Sequence, residues 1–283
     1  METLTAKDLT LGYGEEIIID DLNITIPKGE ITVFIGGNGC GKSTLLRSMA
    51  RLLKPKEGGV ILQGEDIAKM PTKEVAKKLA ILPQSPVSPE GLTVHDLVKQ
   101  GRHPYKSMFK KWSEDDDKAV NEALQATNML DLKDRPVDSL SGGQRQRAWI
   151  AMTLAQKTET ILLDEPTTYL DMTHQIDILD LLFELNERDG RTVVMVLHDL
   201  NLACRYAHHI VAIKDKQVYA QGRPEEIINC NMVHDVFKMK CDVTYDPMFG
   251  TPMCIPHGRG RCLIKNAVAE AQAQQQKAAG SLA

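Results

Sequence analysis

The sequence predicts an α/β fold built on a mainly parallel β-sheet that is covered on both faces. Two observations support this prediction. Several short segments are continuously apolar, as strands buried on both sides are; they are residues 31–35, 160–163, 192–197 and 210–213. The stretches between them carry the apolar spacing of amphipathic helices, which is the alternation expected of repeated strand–helix units.

The amino-terminal part contains the first strands and the first helix. Strand signals occur at residues 9–13, 23–26 and 31–35. A glycine-rich loop, residues 36–41, then leads into a helix that begins near Lys42. The predicted apolar face of this helix is formed by Leu45, Leu46, Met49 and Leu52.

The rest of the chain alternates in a similar way. A short strand is predicted at residues 79–82, and residues 86–158 are expected to be mostly helical. Strand signals return at residues 160–163, and an amphipathic helix is predicted at residues 171–188. Two further apolar strands complete the sheet.

Composition excludes several classes of protein. The chain has 283 residues, with 34 Lys and Arg against 38 Asp and Glu, so the formal net charge is −4. This balance gives no general argument for nucleic-acid binding. No stretch approaches the roughly 20 apolar residues of a transmembrane helix, and the first residues lack the pattern of a signal peptide. The six cysteines are too few for a disulfide scaffold, so reduced thiols are expected.

The strongest motif is a phosphate-binding loop of the form G-x-x-x-x-G-K-[ST]. It lies between an apolar strand and an amphipathic helix, which is the context this motif requires. Glycines allow the backbone N–H groups to surround phosphate oxygens, and the helix start adds a positive dipole end. Lys42 is expected to contact the β- and γ-phosphates, Ser43 to bind Mg²⁺, and Thr44 to reach the α-phosphate. The predicted phosphate-binding residues are Gly36, Gly37, Asn38, Gly39, Cys40, Gly41, Lys42, Ser43 and Thr44.

Two adjacent carboxylates end the strand at residues 160–163. Asp164 suits direct or indirect Mg²⁺ binding. Glu165 suits a general base that orients an attacking water. Acidic residues at strand ends are common, so this pair becomes informative only together with the phosphate loop.

A third motif precedes a predicted helix. Its residues are Ser141, Gly142, Gly143 and Gln144. Small residues before a helix leave N–H groups and a positive helix end available to an anion. Taken alone, this segment fits a simple N-capped turn better.

With these motifs in this order, the sequence resembles the nucleotide-binding subunit of an ATP-binding-cassette (ABC) transporter over about residues 3–260. The segment Leu-Ser-Gly-Gly-Gln ending at Gln144 matches the family's signature. The resemblance implies that Tyr13 stacks on adenine and that Gln84 contacts Mg²⁺ or the attacking water. It implies further that Asp171 acts across a dimer and that His198 contacts the γ-phosphate. ATP and Mg²⁺ are the cofactors it implies.

The resemblance also implies a domain organisation. It predicts a phosphate-loop NTPase core of the ABC type, with an antiparallel β subdomain and an inserted α-helical subdomain at about residues 86–158. Residues 1–262 would form this nucleotide-binding domain. The Ala- and Gln-rich residues 263–283 would be a flexible tail without an assigned role.

The function implied is ATP-driven import. The family pairs two cassettes head to tail, so a homodimer is expected on two integral-membrane permease subunits at the cytoplasmic face of the cell membrane. An extracytoplasmic binding protein would deliver the substrate, and no nucleic acid is expected as a partner. Three segments resemble the iron-siderophore importers: residues 101–105, 164–171 and 252–256.

Other functions stay open at this point. The same role for cobalamin, haem or another metal chelate is one alternative, because cargo is not read by the ATPase. A regulatory ABC protein that acts on ribosomes or DNA is an alternative of a different class. Such factors usually carry two cassettes, whereas this chain has one phosphate loop and one signature.

Two residue clusters have no role in these motifs. The basic run of Lys99, Arg102, Lys106, Lys110 and Lys111 fits a solvated face, or a surface close to the anionic inner leaflet or the permease. The late residues Cys241, Cys254, His257 and Cys262 lack the paired C-x-x-C spacing of a structural zinc site.

Overall fold

The computed structural model describes residues 2–84, 86, 89–106 and 112–258. The helices in these ranges are α1 (Lys42–Met49), α2 (Thr72–Lys78), α3 (Val94–Gln100), α4 (Glu114–Ala126), α5 (Gly142–Ala155), α6 (Met172–Asp189), α7 (Leu200–Tyr206), α8 (Pro224–Ile227) and α9 (Cys230–Phe237). Short 3₁₀ turns lie at His103–Tyr105, Leu130–Leu132 and Val137–Ser139. None of the described helices is both long and apolar enough to cross a lipid bilayer.

The strands form three sheets. They are β1 (Glu2–Tyr13), β2 (Glu16–Pro27), β3 (Ile31–Gly36), β4 (Glu57–Leu62), β5 (Glu65–Asp66), β6 (Leu79–Leu82), β7 (Thr160–Leu163), β8 (Thr192–Val196), β9 (His209–Lys214), β10 (Gln217–Gly222), β11 (Cys241–Tyr245) and β12 (Pro252–Pro256). The largest sheet has six strands in the order β10-β9-β3-β8-β7-β6. All its neighbouring strands are parallel except the β9–β10 hairpin.

Both faces of the parallel strands are buried, which explains why these strands are continuously apolar. The edge strand β10 alternates between exposed and half-buried residues. Along β3, the side chains of Val33 and Ile35 enter a core shared with α5, α6, α7 and α9, while Phe34 enters a second core on the opposite face. This second core is completed by α1 and by the antiparallel sheet β2-β1-β4-β5. The predicted α/β class with a mainly parallel sheet and an antiparallel β unit is therefore confirmed.

The chain between β6 and β7 contains helices and 3₁₀ turns but no named strand within its described residues. Its two long helices, α4 and α5, pack against each other and against α3. A buried ion pair joins this region, because Arg102 Nε lies 2.8 Å from Asp116 Oδ1 and Arg102 Nη1 donates to the Ala155 carbonyl at 3.0 Å.

Two details differ from the expectations. The helix that begins at Lys42 ends at Met49, and Leu52 is exposed rather than part of its apolar face. The cause is the backbone of Arg51, whose φ of 60° is left-handed and cannot continue a helix. The strands β4, β10, β11 and β12 also have no counterpart in the sequence prediction. Residues 263–283, Cys262, Lys110 and Lys111 lie outside the described residues.

Candidate nucleotide-binding site

The site is built where β3 ends and α1 begins, at the carboxyl edge of the parallel sheet. Ligands of open parallel sheets bind at this edge, where strand order allows a crevice to form. Gly41 is the N-cap of α1 with a φ of 103°, a conformation that side chains with a Cβ rarely adopt. An added Cβ at Gly41 would also lie 2.6 Å from Ile19 Cδ1. The sharp turn that exposes the start of α1 therefore depends on glycine.

Lys42 is a buried cation held by the loop itself. Its Nζ donates to the carbonyls of Gly36 at 3.0 Å and Gly37 at 2.8 Å, and lies 3.7 Å from Cys40 Sγ. Its side chain is 5% exposed, and none of these partners carries a full negative charge. An ammonium group in this environment is favourably placed to bind an anion such as phosphate.

Asp164 and Ser43 form a small group of oxygen ligands. Ser43 Oγ donates to Asp164 Oδ1 at 2.7 Å, across 121 residues of sequence. Asp164 Oδ2 is buried and has no hydrogen-bond partner among the described residues, although Arg47 Nε lies 4.0 Å away. Burial raises the pKa of Asp164 despite the hydrogen bond from Ser43 and the charge of Arg47. A hydroxyl and a buried carboxylate oxygen without a partner are ligands that suit a hard divalent cation such as Mg²⁺.

Glu165 is held by three side chains. Its Oε1 lies 2.7 Å from His198 Nε2, and its Oε2 accepts from Gln84 Nε2 at 2.5 Å and from Thr168 Oγ1 at 2.9 Å. Burial opposes ionisation of Glu165, yet the hydrogen bonds from Thr168, His198 and Gln84 together hold its pKa below the usual value. Glu165 is thus an ionised carboxylate at neutral pH.

The backbone of Glu165 has a φ of 52°, a left-handed conformation that is uncommon for a residue other than glycine. Such strain is often kept at functional sites because the surrounding structure imposes it. Here it turns Glu165 toward the cavity directly after β7 while Asp164 contacts the start of α1.

A cavity of about 340 Å³ lies between the phosphate loop, Glu165 and His198. Its lining residues are Ile18, Asn38, Gly39, Gly41, Lys42, Ser43, Thr44, Glu165 and His198. The structure therefore brings the phosphate loop together with Glu165 and His198. Two further predicted residues are hydrogen-bonded to lining residues: Gln84 to Glu165, and Asp164 to Ser43. Thr168, Ile18 and Arg47 were missed by sequence reasoning. Thr168 lies within residues 164–171, one of the segments that resemble the siderophore importers.

The signature residues form a second group that does not line this cavity. Ser141 is the N-cap of α5, with its Oγ accepting from Gln144 N at 3.3 Å and its N donating to Gln144 Oε1 at 3.2 Å. Gly142 and Gly143 form the first turn, and a Cβ at Gly143 would collide with the imidazole ring of His174. The glycine at position 143 therefore allows α5 to approach α6 closely.

Asp171 belongs to this second group. It is the N-cap of α6, and its Oδ1 accepts from His174 N at 2.9 Å and lies 2.8 Å from His174 Nδ1. The backbone and side-chain hydrogen bonds from His174 lower the pKa of Asp171. His174, which sequence reasoning missed, thus connects Asp171 with Gly143. Asp is a preferred N-cap residue, and this preference would have indicated the hydrogen bond from the His174 backbone N–H but not the contact with its ring.

Tyr13 is also outside the cavity. It is the last residue of β1, pairs with Glu16 in the β1–β2 hairpin and is 50% exposed. Ser141, Gly142, Asp171 and Tyr13 are therefore exposed groups outside this cavity, whereas the phosphate loop and Glu165 line one open crevice.

The fold and the cavity define a nucleotide-binding protein of the phosphate-loop class. The sequence pattern of the family described as "ABC transporter" matches residues 19–168, a little more than half of the chain. The chain belongs to this family, and its fold is that of the family's ATPase cassettes.

Several known proteins are similar over nearly the whole chain. The "Probable siderophore transport system ATP-binding protein YusV" of Bacillus subtilis is 72% identical over 267 residues, covering 94% of this chain and 97% of that protein. The petrobactin import ATP-binding protein FpuD of Bacillus anthracis is 66% identical over 93% of this chain and 97% of its own length.

Solved structures agree with this relationship. A structure described as a metal-chelate type ABC transporter in an inward-facing conformation has a TM-score of 0.80 at 28% identity, covering 92% of this chain and 99% of that one. The dimeric, post-hydrolysis ATP-binding cassette MJ0796 bound to ADP and Pi has a TM-score of 0.67 at 32% identity. It covers 78% of this chain and 98% of that one.

Proposed function

We propose that this chain is the ATP-hydrolysing subunit of an importer that drives the uptake of iron-siderophore complexes through a membrane permease. The observation that carries the activity is the position of Glu165, whose carboxylate lines the same cavity as the phosphate loop. The substrate class rests on relatives whose names are a siderophore transport system protein and a petrobactin import protein.

The nucleotide would bind with its phosphates on the phosphate loop. Residues 36–44 supply N–H groups and the Lys42 ammonium, and the start of α1 adds the positive end of its dipole. The oxygens of Ser43 and Asp164 would hold Mg²⁺, and Gln84 is near enough to Glu165 to take part. Bound there, Mg²⁺ supplies charge that offsets the negative phosphoryl oxygens.

Hydrolysis needs a group that orients a water and accepts its proton. Glu165 is suited to this task because its pKa is low enough for it to be ionised at neutral pH. Its oxygens are held by His198, Gln84 and Thr168. If His198 contacts the γ-phosphate instead of Glu165 Oε1, one carboxylate oxygen becomes available to orient a water.

The position of the signature supports a head-to-tail homodimer. Ser141 and the first turn of α5 lie outside the cavity of their own chain. The N–H groups of Gly142 and Gly143, which the capping box between Ser141 and Gln144 does not use, would bind the γ-phosphate held by a partner copy. Asp171, at the start of α6, would contact the partner across the same interface, and Tyr13 would stack on adenine. The solved cassette with bound ADP and Pi is dimeric, which agrees with this arrangement.

Two integral-membrane permease subunits would receive the motion of this dimer at the cytoplasmic face of the membrane, with an extracytoplasmic binding protein supplying the substrate. We assign residues 1–262 to one nucleotide-binding domain, with residues 86–158 as its helical subdomain. Import of cobalamin, haem or another chelate, and a regulatory role on ribosomes or DNA, have less support because the similar proteins carry siderophore names.

The test is a comparison of Glu165→Gln with the wild-type chain. The variant should bind ATP and form a stable dimer on size-exclusion chromatography, but hydrolyse ATP about 10²–10⁴-fold more slowly. Glu184→Gln, on the exposed face of α6, is the matched control and should hydrolyse ATP at the wild-type rate. Wild-type turnover in Glu165→Gln would refute the assignment of the base.

The substrate class is tested separately by growth. A strain that lacks this chain should fail to grow when a ferric siderophore is the sole iron source and recover with the wild-type chain but not with Glu165→Gln. Normal growth on every siderophore tested, with failure on cobalamin or haem, would reject the siderophore assignment and leave the ATPase activity intact.

A further inference from the structure

The starts of helices α5 and α6 meet at one imidazole ring. A Cβ at Gly143 would lie 2.9 Å from His174 Cγ and 3.1 Å from its Nε2, so the ring rests directly against the glycine backbone. A different atom of the same ring, Nδ1, lies 2.8 Å from Asp171 Oδ1. His174 therefore contacts a signature residue and the N-cap of α6 at the same time.

Further contacts hold the two helix starts together. A Cβ at Gly142 would lie 3.7 Å from Leu170 Cδ2, which is ordinary van der Waals distance, and Gln175 Nε2 donates to the Leu170 carbonyl at 2.8 Å. One turn further along α5, Arg147 Nη2 donates to Asp177 Oδ2 at 2.9 Å. The first turn of α5 and the start of α6 therefore pack as one unit.

His174 also fixes the orientation of the Asp171 carboxylate. Its backbone N–H donates to Asp171 Oδ1 at 2.9 Å, and its ring contacts the same oxygen. These hydrogen bonds lower the pKa of Asp171, so its carboxylate is ionised and can only accept; the proton between them belongs to Nδ1. The Asp171 side chain is 67% exposed, and without the ring it would be free to rotate in solvent. A side chain that is already held loses less conformational entropy when a partner binds.

We propose that His174 is a positioning residue that holds the first turn of α5 and Asp171 as one preformed surface for a second cassette. This inference rests on the proposed head-to-tail homodimer, in which both groups meet the partner copy. Tyr169 and Met172, close to Asp171 in sequence, are 89% and 80% exposed, as expected of a surface that a second copy covers. Because His174 does not line the nucleotide cavity, it acts on dimer formation and not on ATP binding to its own chain.

The experiment uses the full-length chain with Glu165→Gln as the parent, because blocked hydrolysis preserves the ATP-bound dimer. Sedimentation velocity with ATP and Mg²⁺ gives the dissociation constant of the dimer. His174→Ala in this parent should raise that constant about tenfold or more, since one lost hydrogen bond is worth about a threefold factor and a symmetric dimer contains the contact twice. The matched control is His234→Ala, which removes another exposed histidine that lies beside an aspartate, and it should dimerise as the parent does.

Conservative variants separate the two contacts of the ring. His174→Asn keeps a donor for Asp171 but removes the ring from Gly143, whereas His174→Phe keeps a ring but removes the donor. Each should give a dimer dissociation constant between those of the parent and His174→Ala. If His174→Phe dimerises as the parent does, the hydrogen bond to Asp171 has no part in dimer formation, and the proposal is wrong.

A double-mutant cycle tests whether Gly143 and His174 act through one contact. Gly143→Ala should displace the imidazole ring, because the new Cβ collides with it. Gly143→Ala/His174→Ala should therefore dimerise no more weakly than Gly143→Ala alone. A double loss equal to the product of the two single losses would show that the residues act independently, and it would overturn the proposal.

Nucleotide binding separates this proposal from a merely structural role and from the proposed function. ATP that carries a fluorescent N-methylanthraniloyl group should bind monomeric His174→Ala as tightly as the monomeric parent, and a clear loss of this binding would overturn the proposal. A parent that does not dimerise with ATP would reject the head-to-tail dimer itself. A parent that dimerises, with His174→Ala dimerising equally well, would reject only the role of His174.

Discussion

Replacing Asp164 with asparagine should stabilise the chain while impairing its use of Mg²⁺. The side chain of Asp164 is 1% exposed, and its Oδ2 accepts no hydrogen bond from the part of the chain that the structure describes. Arg47 is 4.0 Å away and 46% exposed, so solvent screens its attraction. Ser43 donates to Oδ1, and the asparagine carbonyl can accept the same hydrogen bond. Asp164→Asn therefore removes a buried charge and keeps its one good contact.

The expected increase in the free energy of unfolding follows from the cost of burying a polar atom without a partner, which is about 1–3 kcal/mol. The amide nitrogen of asparagine also lacks a partner, and this offsets part of the gain. We therefore expect a net increase in the free energy of unfolding of about 1–2 kcal/mol. For a chain of this size that raises the melting temperature by about 2–6 °C. The assay is thermal unfolding without nucleotide and with a metal chelator, where Asp131→Asn, on the exposed surface, controls for the change in net charge.

The pH dependence gives a second check. The pKa of Asp164 is raised in the folded chain, so its ionised form lowers stability at neutral pH. This penalty declines as the pH falls through the raised pKa and is absent below the ordinary value of 3.8. The stability difference between Asp164→Asn and wild type should therefore narrow as the pH is lowered. A variant that is less stable than wild type at neutral pH, or a difference independent of pH, would refute the reasoning.

Two further predictions concern packing. Gly41→Ala should lower the free energy of unfolding by about 1–3 kcal/mol and weaken ATP binding. The reason is that Gly41 has a φ of 103° and a Cβ there would lie 2.6 Å from Ile19 Cδ1. Gly39→Ala, with a φ of 74° but open space around the Cβ, should cost less, and equal losses in urea unfolding would contradict this. Arg102→Met should lower the free energy of unfolding by about 3–5 kcal/mol, because Asp116 would stay buried without its partner. Arg102→Met/Asp116→Leu should recover much of that loss, and a double variant no more stable than the single one would contradict the explanation.

Much of the fold and site could be predicted because the signals are local. A phosphate loop is a continuous strand–loop–helix segment, so its glycines, Lys42 and Ser43 can be found from spacing alone. The apolar strands of the central sheet are buried on both faces, which makes them continuous apolar runs. The α/β class followed from these runs and is confirmed.

The missed elements have weak local signals. Strand β4 begins Glu57-Gly58-Gly59, residues that are depleted in strands, and it exists because it pairs with β1. Gly58 has a φ of 70° and lies against the backbone of Asp8, so contact with β1 sets its conformation. The apolar spacing predicts Leu52 on a helix face because this spacing continues past Met49, where the helix ends.

The sequence by itself determined the type of chemistry: a phosphate loop, two carboxylates after an apolar strand, and a signature before a helix. Only the tertiary structure decided which of these groups meet. The parallel order β3-β8-β7-β6 brings the ends of four strands to one edge, and so places Ser43 against Asp164 and Gln84 against Glu165. The same packing leaves Ser141 and Asp171 outside the cavity. Strand order depends on long-range pairing between distant residues, and no local pattern records it.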